Sequence, residues 1–340
     1  MEGKMRLKKF IISSLSAIMI ATSLSGCGMI SKEKEKEEPV SDLVNVTLLT
    51  DAEGGAGEAL ISSARAGLEE AESGLGIDGR FIKCSSKDDI KSNIEVLVKG
   101  GKTALIIGAG PRFESIISVY AQKYPNQDFA LIDATVDGDM PKNLTTITFD
   151  DERSGFIAGF IAGKMTAKNK VGYISGTSGS SENAYRQGFE KGLKKANDKN
   201  PEIISRNVNI YESYEDAKNA FVDVEYYGAD ILFAPTEDDS KAAIDSINSN
   251  YSKIIAVNKD QYHYSKDKVV ASITKSYSKA VYDLCAMVYD GGDSFKGGKN
   301  TQYGVAEKAI ALAPSTENTV PPDVLSYLSK ALKEEYSGSN

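Results

Sequence analysis

Thr103-Ala-Leu-Ile-Ile-Gly-Ala-Gly110 holds nothing polar between Ala104 and Ile107. A strand with one face in water alternates apolar and polar residues, whereas one that is apolar throughout has both faces covered, as when helices lie on both sides of a parallel sheet. The flanking sequence supplies those helices. Upstream, Val44–Thr50 reads as a strand, Gly57–Ser73 as a helix, Arg80–Cys84 as a strand and Asp88–Val98 as a helix; downstream come a helix over Phe113–Lys123 and a strand over Phe129–Asp133. A second series starts near Thr145. It runs through a strand at Thr146–Asp150, helix Glu152–Met165, strand Lys170–Ser175, helix Asn183–Lys195, an extended segment Ile203–Ile210 and helix Tyr214–Tyr226, ending in strands Ile231–Ala234 and Lys253–Val257. Strands alternating with helices of this length imply parallel sheets with βαβ crossovers. The predicted class is α/β, with two lobes joined near Asp150. Val269–Thr274, helix Ser278–Tyr289 and Gly304–Leu312 form a tail expected to return across the hinge. Lobe 1 is thus about 43–149 plus part of 267–300, and lobe 2 about 150–266 plus part of the C-terminal segment.

Two glycine patterns call for comparison with known motifs. Gly155, Gly159 and Gly163 recur every fourth residue, but three residues separate Gly159 from Gly163 and Met165 follows the lysine, so this is not a phosphate-binding P-loop. The expected role is a glycine face that lets the helix lie close on its sheet. Gly108-Ala109-Gly110 lacks the third glycine of a dinucleotide fingerprint.

Composition narrows the chemistry. At 340 residues and 41% apolar content the chain has enough material for properly buried cores, and its net charge of -8 argues against a nucleic-acid partner. His263 is the single histidine, in Gln261-Tyr262-His263-Tyr264, and neither paired Cys-x-x-Cys nor Gly-x-Ser-x-Gly occurs. Metal or haem ligation and acid/base relays therefore have almost nothing to draw on. No cofactor, no metal and no enzymatic activity are expected, and a solvated loop is the plain place for His263. Beyond Cys27, only Cys84 and Cys285 remain, either paired or as buried free thiols.

The N-terminus carries Lys4, Arg6, Lys8 and Lys9, then a largely apolar stretch, Phe10–Leu24, too short to span a bilayer. It closes on Leu24-Ser25-Gly26-Cys27, which resembles the lipobox of bacterial lipoproteins. That resemblance makes 1–27 a signal peptide, with Cys27 the lipid-modified first residue of the mature chain, doubly acylated and palmitate-bearing, on the extracytoplasmic face of the cell membrane. Stable anchoring takes two acyl chains, which such a cysteine carries. Residues 28–42, rich in alternating Lys and Glu, read as a solvated linker before a domain spanning 43–340.

Beyond the strand carboxyl ends, where open parallel sheets bind ligands, lie carboxylates, amides and hydroxyls suited to a small polar molecule. Leu-Leu-Thr-Asp51, Ile-Ile-Gly-Ala-Gly110, Phe-Ala-Leu-Ile-Asp133, Ser-Gly-Phe-Ile-Ala-Gly-Phe-Ile-Ala-Gly163, Lys-Val-Gly-Tyr-Ile-Ser-Gly176, Tyr-Gly-Ala-Asp-Ile-Leu-Phe233, Val-Asn-Lys-Asp-Gln261 and Ser-Ile-Thr-Lys275 together resemble the basic membrane protein family, PnrA-like substrate-binding lipoproteins of ABC transporters. The resemblance implies a type I periplasmic-binding-protein fold of two Rossmann-like lobes, working as a monomer with an ABC permease on a small polar ligand, with a nucleoside the candidate. It implies that Asp51 and Asp133 meet a base while Asp260 and Lys275 grip a ribose, with Gly110, Tyr185, Phe233 and Asn258 also in the ligand set. The family's Asp-x-Ser-Phe-Asn stretch is replaced by Gly57-Glu58-Ala59-Leu60-Ile61, which removes an aromatic platform and an amide; Phe113, Tyr185 and Phe233 are the substitutes to consider. Stacking on an aromatic is worth ~1–3 kcal/mol per base. Asn258 also replaces an acid. A sensory or regulatory lipoprotein of the same fold, with a weak or altered cleft, is the alternative reading.

Overall fold

The structure is a computed structural model that describes residues 43–51, 57–136, 138–176, 180–208, 213–291 and 295–336. Cys27, the expected signal segment and the expected linker over 28–42 lie outside them. In chain order the elements are β1 (Asn45–Asp51), α1 (Gly57–Leu75), β2 (Asp78–Cys84), α2 (Lys87–Gly100), β3 (Thr103–Ala109), a 3-10 turn at Pro111–Phe113, α3 (Glu114–Lys123), β4 (Asp128–Ile132) and β5 (Leu144–Phe149). There follow α4 (Asp151–Met165), β6 (Lys170–Ser175), α5 (Ser180–Ala196), β7 (Glu202–Asn207), α6 (Tyr214–Tyr226), β8 (Ile231–Phe233), α7 (Glu237–Ser246), β9 (Lys253–Asn258) and β10 (Val269–Lys275). The chain closes with α8 (Tyr277–Tyr289), β11 (Lys299–Tyr303), β12 (Ile310–Leu312), a 3-10 turn at Pro314–Asn318 and α9 (Pro322–Tyr336).

One sheet runs β11-β5-β4-β3-β1-β2, the other β12-β10-β9-β8-β6-β7. Among the described residues all pairings are parallel except that of β12 with β10. β3 is the central strand its composition implies. Leu105 and Ile107 face a core shared with Leu60 and Leu68 of α1 and Leu284 of α8, while Ile106 faces the opposite core with Ile90, Ile94 and Ile117 of α2 and α3. Burying each such side chain is worth about 1.5–3 kcal/mol. Helix boundaries follow capping chemistry: the Ser86 and Ser213 hydroxyls accept from the Asp89 and Asp216 amides, and Gly101 closes α2 in a left-handed conformation at φ 63°.

Two expectations change. The strand at 144–149 does not open the second sheet; it lies in the first, paired with β4 on one side, Phe129 opposite Leu144, and with β11 on the other. The glycine stripe of α4 faces α5 and not the sheet. A Cβ on Gly155 or Gly159 would strike the Tyr185 or Phe189 carbonyl, and one on Gly188 or Gly192 of α5 would strike the Glu152 or Phe156 carbonyl, so the two helices pack backbone against backbone.

The chain passes between the sheets three times, after β5, after β10 and after β11. The three passages lie side by side: the Asp150 amide donates to the Tyr303 carbonyl (2.9 Å), and the Ser276 amide to the Ala309 carbonyl (2.8 Å). α8 packs on α1 beside the first sheet, whereas α4, α5 and α9 group beside the second. Residues 144–155, 269–277 and 299–312 are thereby drawn together at the junction of the lobes.

Candidate functional site

A cavity of about 1080 Å³ lies between the carboxyl ends of the two sheets. Lobe 1 contributes Asp133, just past β4, and lobe 2 contributes Asn258, the last residue of β9; both line the cavity. Each has positive φ, 57° at Asp133 and 70° at Asn258. Asx residues tolerate this region through their short polar side chains, and such backbones gather where a side chain must be aimed at a site. The Asn258 Oδ1 atom is buried and has no hydrogen-bond partner within the protein.

Lys275, the last residue of β10, reaches the floor of the cavity. Its Nζ lies 3.2 Å from Asp133 Oδ1 and 2.8 Å from Asp151 Oδ1, and its side chain is only 5% exposed. The Tyr277 hydroxyl donates to the other Asp133 oxygen (3.1 Å), and Ser181 donates to Asp151. The ammonium also sits over the rings of Phe149 (5.3 Å) and Tyr185 (5.6 Å). Two carboxylates thus share one cation inside a buried site. Burial pushes the Asp151 carboxyl above its ordinary range against the pull of Lys275, with Asp133 adding to the push. Burial works against the Lys275 charge, but the two carboxylates outweigh it and hold the ammonium well above its usual pKa. Burial and the nearby carboxylates likewise keep Tyr185 and Tyr277 protonated.

Of the residues named from sequence, Asp133, Tyr185, Asn258 and Lys275 line this cavity. The other four stand elsewhere. Asp51 is 1% exposed and held by Arg112, with Nε–Oδ2 at 2.9 Å and Nη1–Oδ1 at 3.0 Å. Gly110, at φ 103°, makes the turn that places Pro111 on the cavity wall. Phe233 is buried in an aromatic stack, parallel to Phe189 with centroids 5.4 Å apart and edge-on to Tyr173, so it cannot serve as a platform; Phe113 is equally buried. Asp260 Oδ1 accepts from the Tyr262 amide (3.0 Å) and the Ser315 hydroxyl (2.7 Å), which ties it to its own loop and to the 3-10 turn at Pro314–Asn318. Residues 52–56 and 177–179 of the strand-end loops lie outside the described residues. Sequence reading missed Asp151, Ser181 and Tyr277. Only nearness to chain crossovers could have marked Asp151 and Tyr277, and a contact such as Tyr277–Asp133, 144 residues apart, leaves no local pattern; Ser181 sits in the first turn of α5. Cys84 and Cys285 are both free and buried.

Two open parallel sheets, three crossovers and a polar cavity between the lobes define the class of two-lobed receptors with a type I periplasmic-binding-protein fold. Solved structures agree. A transcriptional activator of the comK gene from Bacillus halodurans superposes with a TM-score of 0.70 at 22% identity, covering 86% of this chain and 98% of that one. A solute-binding protein of an ABC transporter system from Aeropyrum pernix K1 gives 0.68 at 18% identity, covering 86% of each. The sequence profile of the Bmp family, described as ABC transporter substrate-binding protein PnrA-like, matches residues 49–338, and the chain belongs to that family. It is 26% identical to a CD4+ T-cell-stimulating antigen of Listeria innocua across 98% of this chain and 96% of the relative. It is 27% identical to basic membrane protein A of Borreliella burgdorferi across 89% and 86% respectively. A solute-binding role follows from the family.

Proposed function

We propose that this chain is the lipid-anchored, extracytoplasmic solute-binding component of an ABC importer, and that it takes a small polar ligand of the nucleoside class between its lobes and hands it to a permease. The observation that carries this reading is the Lys275 cluster. Lys275 and Asp151 come from lobe 2 and Asp133 and Tyr277 from lobe 1, so a hydroxylated ligand bound there touches both lobes at once. A carboxylate accepts two donors and an ammonium supplies three, a set suited to vicinal hydroxyls. Asn258 offers a further acceptor, its Oδ1 being buried and unpartnered, to a donor on the ligand. Contacts made only when both lobes close on the ligand drive closure. Anchoring through Cys27 would keep the receptor beside its permease.

A thermal-shift panel of ribonucleosides, free bases, pentoses and amino acids on the purified full-length protein tests the reading. Ligand at a hundred times its dissociation constant stabilises the native state by about 2.7 kcal/mol. A shift with nucleosides is expected. No shift across the panel would favour a regulatory use of the fold, of the kind the Bacillus halodurans transcriptional activator represents.

A further inference from the structure

Among the described residues, three cations line the cavity, and each is already held by carboxylates: Arg153 Nε lies 3.1 Å from Asp150 Oδ2, Lys191 pairs with Glu152, and Lys275 is shared by Asp133 and Asp151. The Lys275 cluster therefore sets one positive charge against two negative ones. The groups packed around Asp151 do not redress that balance. β10 brings Lys275, the turn after β4 brings Asp133, and α8 brings Tyr277, whose hydroxyl donates to Asp133. α5 brings the Ser181 hydroxyl, the Tyr185 ring and Glu182, which accepts from the Tyr173 hydroxyl at 2.9 Å. On α4 itself Arg153 is engaged by Asp150, and Glu152 by Lys191. Asp151 is the deeper of the two carboxyls, 9% exposed against 23% for Asp133. Burial pushes it above the ordinary carboxylate range, with Lys275 opposing and Asp133 adding to the push.

We infer that Asp151 takes up a proton from solvent when the lobes close on an uncharged ligand, so that binding in this cleft is proton-linked and weakens as pH rises. This rests on the nucleoside reading, since a nucleoside brings hydrogen-bond donors but no cation. With the cleft open, water reaches the cluster and both carboxylates ionise. Closure removes that water and leaves one ammonium for two buried carboxylates, and protonating the deeper one relieves the excess charge. Protonated, Asp151 keeps an oxygen for Lys275 and offers an O–H donor to a ligand oxygen. The proton is held more tightly in the complex than in the open protein. The added affinity is thus fully present below the carboxyl's open-state value and is lost as pH rises through its value in the complex.

Titration calorimetry of the full-length protein with inosine, in paired buffers of low and high ionisation enthalpy, counts the protons exchanged. At the steepest point between about pH 5 and 7.5, wild type should take up about half to one proton per inosine, and its affinity should fall about three- to tenfold per pH unit. Asp151→Asn keeps the side-chain shape and leaves Lys275 a single carboxylate, so it should bind inosine without proton uptake and with a flat pH profile. Where that variant does not fold or bind, infrared difference spectra of wild type with and without inosine serve instead, and a protonated carboxyl should appear on binding. A wild type that binds inosine with no proton uptake, or with no new protonated carboxyl, overturns the proposal and leaves the nucleoside reading standing. So does an Asp151→Asn protein that still takes up the proton. Absence of inosine binding by wild type across this pH range removes the nucleoside reading and the proposal with it.

Discussion

Lys275 shows how a single residue links fold to function, because its 5% exposed side chain is shared by Asp133 from one lobe and Asp151 from the other. Replacing it by Met leaves the buried Asp151 and the partly buried Asp133 without their counter-charge, and breaking a buried pair in this way costs about 3–5 kcal/mol. Urea unfolding should show that loss at neutral pH. Its pH dependence has a definite sign. The Asp151 carboxyl holds its proton to higher pH in the folded than in the unfolded chain, so its contribution is fully present below the ordinary carboxylate pKa of about 4 and is lost as pH rises through the raised value. Without Lys275 to oppose that rise, Lys275→Met should lose stability on going from about pH 4 to 7 more steeply than wild type; parallel profiles would separate the pair. The thiols make a second case. Burial pushes Cys84 up to about 11 and Cys285 to about 12, so neither offers a thiolate near neutral pH. Thiol reagents should leave both unlabelled in native protein and modify both in urea. Sequence alone left pairing open; the structure decides for free thiols.

The contact of α4 with α5 shows what periodicity can and cannot reveal. Gly155, Gly159 and Gly163 announce a close approach, but the spacing does not say to what. The partner signal was Gly188 and Gly192 on α5, also four apart, and only the fold brings the two rows face to face. Gly159→Ala would drive a Cβ into the Phe189 carbonyl and should destabilise by about 1–3 kcal/mol, as overpacking does. Gly100→Ala, in α2 with nothing within 4 Å of the added Cβ, should instead stabilise by about 0.4–1 kcal/mol. Chemical denaturation of the two variants side by side checks both signs. The strands themselves were legible because an apolar run such as Ala104–Ile107 records burial on both faces. The sheet to which Leu144–Phe149 belongs was not, since parallel pairing is set by partners distant in sequence.

At the scale of the molecule, the three crossovers tie the lobes at one edge of the cleft, and the Lys259–Glu58 ion pair joins them elsewhere, at 3.1 Å. Glu58 is 79% exposed, so this contact is solvent-screened; Glu58→Ala should change stability by less than about 1 kcal/mol. The hinge cluster outweighs it. Of the cavity residues named through family resemblance, Asp133, Asn258 and Lys275 came together because strand ends of both sheets face one another, and Tyr185 joins them from α5. Asp151 and Tyr277 escaped notice because they sit on the crossovers, where meaning comes only from the other passages alongside. Capture of a polar solute at that junction is open to equilibrium dialysis of a labelled ribonucleoside against wild type and Lys275→Met. One ligand per chain is expected for wild type, with affinity at least about tenfold weaker in the variant. Equal binding by the two folded proteins would contradict the claim.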